Sequence, residues 1–306
     1  MIDAQPEGFD RLLRGAIDVH VHGRPDISAE LPLRGDDTAV ARLAQSYGMG
    51  GWVLKSHLWA TMDRARAVEK GTGFPVYGSI TLNPPVGGLE PSVVELAAAH
   101  GARMVFLPTW GNAADVERDG YIAMLLRRVS PAFAEYHDRT AIALLDPAGA
   151  LSGRARAVID ACHALGLALA TGHASLAESR AVAAYCADVG QRLLVTHPLH
   201  YSRDPAELRD LGDMGAFLEF ANAPLVHPDG HLTVRDVHEA LSAVGPERAI
   251  LSTDVFSRWV PPEPECLRMF VEQLSYLGWT DEQIAMMVSA NPRMFLGRPS
   301  DEGVGA

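Results

Sequence analysis

The run Ala16-Ile17-Asp18-Val19-His20-Val21-His22, AIDVHVH in one-letter code, opens a pattern that decides the fold. It is a short apolar stretch that ends on polar side chains, which is typical of a buried strand. Seven further runs of this kind follow, separated by segments of helical character. They are GGWVLKSH (50–57), PVYGSIT (75–81), ARMVFLPT (102–109), LALATGH (167–173), RLLVTHP (192–198), GAFLEFAN (215–222) and RAILSTD (248–254).

Eight buried strands that alternate with helices predict a parallel sheet, and its closed form is the (β/α)8 TIM barrel. A doubly wound open sheet is the alternative. A ninth apolar run, TAIALLD at 140–146, lacks a long helix before the next strand, and we interpret it as an excursion after strand four. No linker-like stretch divides the chain. We therefore expect one α/β domain over residues 1–306, with its core at about 16–297.

Composition narrows the class of protein. The 306 residues include 38 acidic and 26 basic side chains, a net charge of −12, which argues against nucleic acid as a partner. The three cysteines have no metal-finger spacing and are too few for a disulfide framework. No apolar run approaches the ~18–20 residues that span a membrane. Together with an N-terminal stretch that has no apolar signal core, this predicts a cytoplasmic protein, and a homo-oligomer is the default expectation.

Polar, metal-competent side chains lie at the carboxyl ends of five predicted strands. In a barrel these ends converge on one mouth, where active sites are built. His20 and His22 are two residues apart and therefore point to the same side of their strand. Imidazoles and carboxylates suit zinc, with manganese or iron as alternatives. The sequence therefore predicts a divalent metal site from a set of strand-end residues: His20, His22, Lys55, His57, His173, His197 and Asp254.

This pattern, from Asp18-Val19-His20-Val21-His22 to Asp254, resembles the amidohydrolase superfamily of metal-dependent hydrolases. The closing stretch Ala290-Asn291-Pro292-Arg293-Met294-Phe295-Leu296-Gly297 is similar to an Asn-Pro-Ala-x-x-Leu-Gly ending common there, so the resemblance covers residues 16 to 297. It implies two metal ions, most simply zinc. The alpha ion would be bound by His20, His22 and Asp254, and the beta ion by His173 and His197. Asp254 would also act as general base towards the bridging water.

Lys55 departs from the superfamily pattern. The bridging lysine of that superfamily is usually on strand four, whereas residues 104–109 here contain no Lys, Glu or Asp, and Lys55 follows strand two. The resemblance implies a carbamate on Lys55, formed with CO2, which would bridge the two ions. The alternative leaves Lys55 unmodified to hold a substrate carboxylate, with one ion on His20, His22, His173 and Asp254.

Several side chains in the loops that follow the strands are candidates for substrate contact. His57 and His200 would stabilise the oxyanion. Glu219, and Glu178 beyond strand five, are candidates for orienting a ligand or the substrate. Aromatic walls with one arginine suit a ring-bearing substrate. The substrate-binding candidates are Trp59, Trp110, Tyr201, Asn222, Arg258 and Trp259.

These observations predict an enzyme. We expect a hydrolase that cleaves a C–N bond of a small molecule (an amide, a cyclic amide or an imide) with metal-activated hydroxide. A lactone or ester hydrolase on the same site is the first alternative, and a mononuclear decarboxylase is the second. From another class, a catalytically inactive barrel would serve as a scaffold. The sequence contains no GxSxG, P-loop or GxGxxG motif, so serine hydrolases, nucleotide hydrolases and dinucleotide-dependent enzymes lack support.

Overall fold

The structure is a computed structural model that describes residues 9–26, 35–118, 127, 131–228, 230–255 and 260–297. Within these ranges the backbone forms one eight-stranded sheet in which each strand pairs in parallel with the next along the chain. A hydrogen bond of 3.0 Å from the Asp254 N–H to the His20 carbonyl joins the end of the last strand to the first. The predicted barrel is confirmed, and the open-sheet alternative is wrong. The strands are β1 Ile17–His22, β2 Gly51–Lys55, β3 Val76–Thr81, β4 Ala102–Phe106, β5 Ala168–Ala170, β6 Leu193–Val195, β7 Phe217–Ala221 and β8 Ala249–Ser252.

Helices lie between the strands and cover the outside of the barrel. Three of them begin with a reciprocal cap: Ser175 accepts from the Glu178 N–H while Glu178 accepts from the Ser175 N–H, and Thr233 with Asp236 and Thr280 with Gln283 pair in the same way. Among the described residues no helix is long and apolar enough to cross a membrane. The α-helices are Asp37–Ser46, Met62–Thr72, Pro91–Ala99, Ala113–Arg118, Pro131–Thr140, Gly153–Ala164, Leu176–Val189, Pro205–Asp213, Ala223–Val226, Val234–Val244, Glu263–Tyr276, Asp281–Ala285 and Asn291–Phe295.

The run at 140–146 is not a barrel strand, in agreement with its interpretation as an excursion. Ile142 makes an isolated bridge to Asn112, and Leu145 makes another to Leu151. The Ala113 N–H donates to the Ile142 carbonyl at 2.9 Å. The excursion therefore holds the short helix Ala113–Arg118, which follows β4, against the carboxyl-end side of the barrel.

The hydrophobic core has two layers. One fills the barrel interior and includes Ile17, Val53 and Phe106, and the other lies between the sheet and the surrounding helices. The closing segment contributes Phe295 and Leu296 to the interior layer. Asn291 donates to the Pro246 and Ala249 carbonyls at 2.7 Å each, at the start of β8. The closing segment therefore packs beneath the interior, at the end opposite the strand-end histidines.

An irregular register in β1 aims its two histidines inward. Ile17 and Val19 belong to the interior layer, whereas Val21 belongs to the outer layer. Strict alternation would turn His20 outward, but the pairing of β1 with β2 shifts between Asp18 and Val21. An extra residue of this kind switches the face on which later side chains lie. His20 and His22 thus both face the interior.

Candidate metal centre

The predicted strand-end histidines meet in one buried cluster at the carboxyl ends of the strands. Their rings form a closed series in which each imidazole lies beside the next. The distances between ring centroids are 5.2 Å for His20–His22, 4.7 Å for His22–His57, 5.9 Å for His57–His173, 5.1 Å for His173–His197 and 6.2 Å for His197–His20. The barrel therefore brings together residues that lie as much as 177 positions apart, from His20 to His197.

Three side chains on one side of this series form what we call the β1–β8 cluster: His20, His22 and Asp254. The Oδ1 atom of Asp254 lies 2.9 Å from Nε2 of His20 and 2.9 Å from Nε2 of His22. The other ring nitrogen of each histidine faces a carboxylate. Nδ1 of His20 is 2.7 Å from Glu219 Oε1, and Nδ1 of His22 is 2.5 Å from Asp26 Oδ2.

The donor chemistry of the β1–β8 cluster fits a cation. Because Nδ1 of each histidine faces a carboxylate, its proton belongs there, and the Nε2 lone pair then faces the Asp254 oxygen. Two lone pairs directed at one carboxylate oxygen are stable only with protons or a metal ion among them. Two imidazole nitrogens and one carboxylate oxygen are a common zinc ligand set. The distances between these ligand atoms are all within 4.8 Å, as they also are in a second group, His22, Asp26 and His57.

Within this cluster, neighbouring charges outweigh the effect of burial on the pKa values of His20 and Asp254. Burial alone would lower the pKa of His20, but the Asp254 and Glu219 carboxylates outweigh it and raise the pKa to about 9. Burial would likewise raise the pKa of Asp254, but His20 and His22 hold it well below its usual range. Without a metal, this cluster therefore holds a carboxylate beside a protonated imidazole.

Lys55 ends β2 directly beside His22 in the register of the sheet. Its side chain is fully buried, with Nζ 2.7 Å from Nε2 of His20 and 4.8 Å from the centre of the Phe106 ring. Burial lowers the pKa of Lys55, although the carboxylates of Asp254, Glu219 and Asp26 oppose the shift. The lysine on strand two thus reaches the histidines of strand one.

His173 and His197 form the β5–β6 cluster on the other side of the series. Nδ1 of His173 lies 2.7 Å from Asp115 Oδ2, whereas Nδ1 of His197 is buried with no hydrogen-bond partner in the described structure. Burial lowers the pKa of both imidazoles, that of His197 well below its usual range. Both rings are therefore neutral at pH 7, which is the state in which histidine binds metals.

Backbone strain coincides with two of the predicted ligands. Among the described residues that are not glycine, a positive φ occurs at His197, with 29°, and at Asp254, with 52°. The left-handed region is costly for residues with a Cβ atom and is maintained only where the surroundings impose it. Strain of this kind concentrates at functional sites, and here it falls at the ends of β6 and β8.

Comparison with known proteins places the chain in a family. The model of a family of unknown function, DUF6282, matches residues 15–219, which include β1 to β7 up to Glu219. The chain belongs to this family. No curated protein matches it.

Solved structures similar to this DUF6282 member are barrels of the amidohydrolase superfamily. An organophosphorus hydrolase from Deinococcus radiodurans is 18% identical, with a TM-score of 0.55 over 94% of both chains. An amidohydrolase from Pseudomonas aeruginosa is 14% identical, with a TM-score of 0.58 over 94% of this chain and 97% of that one. The probable dipeptidase PvdM from the same organism is 14% identical, with a TM-score of 0.58 over 95% and 96%. At this identity the likeness shows the fold, and it confirms the resemblance inferred from the sequence at that level.

The DUF6282 chain also contains supporting residues that sequence reasoning missed. Asp26 accepts from the His57 N–H at 2.8 Å while its other oxygen faces His22, and it thus ties β1 to β2. Thr109 Oγ1 lies 3.0 Å from Nδ1 of His57. The sequence contains a weak indication of the role of Asp26, because this residue is four positions beyond His22. The sequence contains no indication of the role of Asp115, since 58 positions separate it from His173.

The predicted substrate-binding residues fall in different environments. Trp110 is buried edge-on against His57, with centroids 5.2 Å apart, and Trp59 is 61% exposed. The Tyr201 ring is stacked 6.0 Å from His197. Asn222 is buried, and neither atom of its amide has a hydrogen-bond partner in the described structure. Arg258 and Trp259 lie outside the described residues.

The three remaining candidates, His200, Glu178 and Glu219, also have defined surroundings. The His200 ring lies 4.6 Å from His197, and burial lowers its pKa to about 4. Glu178 accepts from the backbone N–H groups of Ser175 and Leu144 at 2.9 Å each. Its carboxylate therefore caps a helix and holds the excursion. Glu219, by contrast, faces the metal centre through His20.

Proposed function

We propose that this protein is a metal-dependent hydrolase that cleaves a C–N bond of a small molecule, in an amide, a cyclic amide or an imide. The observation that carries this proposal is the β1–β8 cluster, in which two Nε2 atoms face one carboxylate oxygen and each ring is backed by a further carboxylate. A buried arrangement of this kind is costly unless a cation is bound. Histidine and carboxylate ligands favour zinc, with manganese or iron as alternatives.

A divalent ion bound there would supply Lewis-acid activation of the attacking water and of the scissile carbonyl group. The remaining steps belong to the side chains. Asp254 takes the proton released as the nucleophile attacks, and passes it to the leaving nitrogen. Its exposure, 15% for the side chain, gives it access to the mouth of the barrel. His57 and His200, both held neutral by burial, donate hydrogen bonds to the developing oxyanion.

The proposal includes a second ion and a carbamate on Lys55. The Lys55 ammonium group first loses one proton to solvent. The neutral Nζ then attacks CO2, the N–C bond forms as one C=O π bond breaks, and a second N–H proton leaves to solvent, so that a group of charge +1 becomes an anion of charge −1. An anion at this position suits two neighbouring cations better than a buried ammonium group does. Full burial of Lys55 and the 2.7 Å distance to His20 support this step. His173 and His197 would bind the second ion.

Lactone or ester cleavage on the same site is the alternative function. The solved structures similar to this chain include the Deinococcus organophosphorus hydrolase and a protein whose organophosphate hydrolysis activity was engineered from a weak promiscuous lactonase template. A lactonase cleaves a C–O bond rather than a C–N bond. The same side chains would serve, since only the leaving atom differs.

A substrate panel tests the proposed reaction. Metal-loaded protein is assayed against amides, cyclic imides, lactams and lactones of matched ring size. We expect turnover of a nitrogen-containing member, at least about tenfold faster than its lactone counterpart. Faster lactone turnover would establish the alternative, and metal analysis that finds no bound ion would overturn both.

The carbamate has its own test, because the chain contains two lysines, Lys55 and Lys70. Protein equilibrated with 13C-bicarbonate should show a carbamate carbon resonance that disappears in Lys55→Ala and persists in Lys70→Ala. Lys70 is exposed on the helix Met62–Thr72 and serves as the matched control. Short carboxylic acids should restore part of the activity of Lys55→Ala. A resonance retained in that variant would exclude the carbamate at Lys55.

A further inference from the structure

We propose that Asp115 and Arg118 form a positioning pair that holds both members of the β5–β6 cluster, His173 and His197. Neither residue belongs to a barrel strand, and neither faces the β1–β8 cluster. The pair would determine whether the second metal position is formed. This inference rests on the two-ion form of the proposed function.

The pair lies on the six-residue helix Ala113–Arg118, which follows β4. Asn112 fixes the start of this helix, because its Oδ1 accepts from the Ala114 N–H at 2.7 Å and its Nδ2 donates to Glu178 at 3.2 Å. Glu178 in turn caps the helix after β5 and holds the excursion at Leu144. This short helix is thus tied to two neighbouring segments and has a defined position relative to β5.

Asp115 uses both of its oxygens. Oδ2 lies 2.7 Å from Nδ1 of His173, and Oδ1 accepts from Arg118 Nη2 at 2.5 Å. A carboxylate at Nδ1 holds the proton on that nitrogen and leaves the Nε2 lone pair to bind a metal. Asp115 therefore sets both the tautomer and the orientation of His173.

Arg118 connects this carboxylate to β6. Its guanidinium carbon lies 4.9 Å from the centre of the Tyr201 ring, and its Nη1 donates to the His200 carbonyl at 3.4 Å. The Tyr201 ring is stacked on His197. Because Nδ1 of His197 lacks a hydrogen-bond partner in the described structure, ring packing of this kind is what orients its imidazole.

The contacts form a circuit that returns to its start. It runs from His173 to Asp115, to Arg118, to Tyr201 and to His197, whose ring lies 5.1 Å from that of His173. An ordinary ion pair on a helix surface does not connect two residues of a candidate site in this way. Arg66 and Asp63 have the same spacing on Met62–Thr72, but their side chains are 64% and 80% exposed, against 38% and 6% for Arg118 and Asp115.

The first experiment observes the tautomer of His173 in metal-free protein. Long-range 1H–15N spectra of the histidine rings, with His173→Gln for assignment, distinguish a proton on Nδ1 from one on Nε2. We expect the Nδ1–H form in the unmodified protein and a mixture in Asp115→Asn. Asp63→Asn is the matched control and should change nothing. An Nε2–H ring in the unmodified protein, or an unchanged ring in Asp115→Asn, would overturn the proposal.

The second experiment follows zinc binding by competition with a chelator. Asp115→Asn should weaken the second ion by about 10–100-fold and leave the first within about twofold. Arg118→Gln should weaken the second ion in the same direction but less, because Asp115 remains. Equal loss of both ions would indicate a general structural defect and contradict the pair's specific role. If the unmodified protein binds one ion, the two-ion function fails, and the tautomer spectra still decide whether Asp115 positions His173.

Discussion

The two sides of the histidine series are built in different ways. In the β1–β8 cluster each imidazole is backed by its own carboxylate, and both rings share Asp254. In the β5–β6 cluster one carboxylate backs His173, and His197 is held by ring packing. The supports also differ in origin, since Glu219 lies on a barrel strand and Asp115 lies on a short helix outside the sheet. The difference predicts that the β1–β8 cluster binds its ion more tightly.

The largest effect is expected at the residue on which the β1–β8 cluster converges. Asp254→Asn keeps the shape of the side chain but removes its charge and its ability to take a proton. We expect turnover to fall by about 10³-fold, within the usual range for loss of a general base. Steady-state kinetics on the substrate that the panel identifies would measure this loss.

Metal analysis of the same variant separates its two roles. The carboxamide oxygen can still face both Nε2 atoms, so we expect the first ion to be weakened but still bound at saturating metal. Near-native turnover with the ion bound would show that Asp254 is a ligand and not a base. The β1–β8 cluster would then have no proton acceptor, and the proposed mechanism would fail.

Barrel architecture was readable from the sequence because it depends on local patterns. Each strand is a short apolar run, and its last polar residue marks the mouth, so the positions of His20, His173 and Asp254 followed from the periodicity. The register shift in β1 was not readable, since it depends on pairing with β2. The pattern nevertheless placed His20 and His22 on the same side of the strand, because residues two apart share a face.

The supporting carboxylates mark where sequence reasoning ended. Glu219 was recognised because it lies on a strand with a defined inward face. Asp115 was not, because its contact with His173 requires the helix Ala113–Arg118, the excursion at Ile142 and the cap at Glu178 to be placed together. Contacts between loops that are far apart in the chain produce no periodic pattern in the sequence. The difference between these two carboxylates matches their positions, since Glu219 lies on a barrel strand whereas Asp115 lies on a helix outside the sheet.

Gly172 offers a way to disrupt the β5–β6 cluster alone. Its φ is +62°, and a Cβ atom there would lie 2.3 Å from the Leu107 carbonyl oxygen and 2.6 Å from that of Pro108. The His173 N–H donates to the same Pro108 carbonyl at 3.1 Å. We expect Gly172→Ala to lower the free energy of unfolding by about 3 kcal/mol, the upper part of the range for backbone strain. It should also abolish binding of the second ion.

Denaturant unfolding of metal-free protein measures the loss of unfolding free energy in Gly172→Ala, with Gly149→Ala as the control. Gly149 has a φ of +80° and no heavy atom within 4 Å of the added Cβ. Only the left-handed backbone is then penalised, and we expect a loss of about 1 kcal/mol. If the two variants are equally destabilised, the close approach of the carbonyls does not position His173.

Glu219→Gln is the counterpart of this disruption in the β1–β8 cluster. The amide keeps the shape of the side chain, but it no longer carries the negative charge that faces Nδ1 of His20 at 2.7 Å. Loss of a ligand's supporting carboxylate weakens metal binding by about 10–100-fold. We expect this loss for the first ion, measured by chelator competition, with the second ion unaffected. Weaker binding of the second ion in Glu219→Gln, with the first ion unaffected, would show that the two clusters are not independent.

The smallest expected effect is a difference in pH dependence between the two ions. The pKa of His20 is about 9, so below that pH its ring carries a proton that must leave before Nε2 can bind an ion. The affinity for the first ion should therefore rise as the pH increases from 6 to 8, by about tenfold per pH unit. Burial instead lowers the pKa of His173 and His197 from the usual imidazole range, so a smaller fraction of these rings than of His20 is protonated between pH 6 and 8.

The affinity for the second ion should consequently change less between pH 6 and 8 than the affinity for the first, because its histidines have fewer protons to lose. Chelator competition at three pH values gives both slopes. Calorimetry in two buffers of different ionisation enthalpy should detect release of about one proton with the first ion and fewer with the second. Equal slopes would mean that Asp254 and Glu219 do not hold a proton on His20. The carboxylates that distinguish the β1–β8 cluster would then lack the electrostatic role assigned to them.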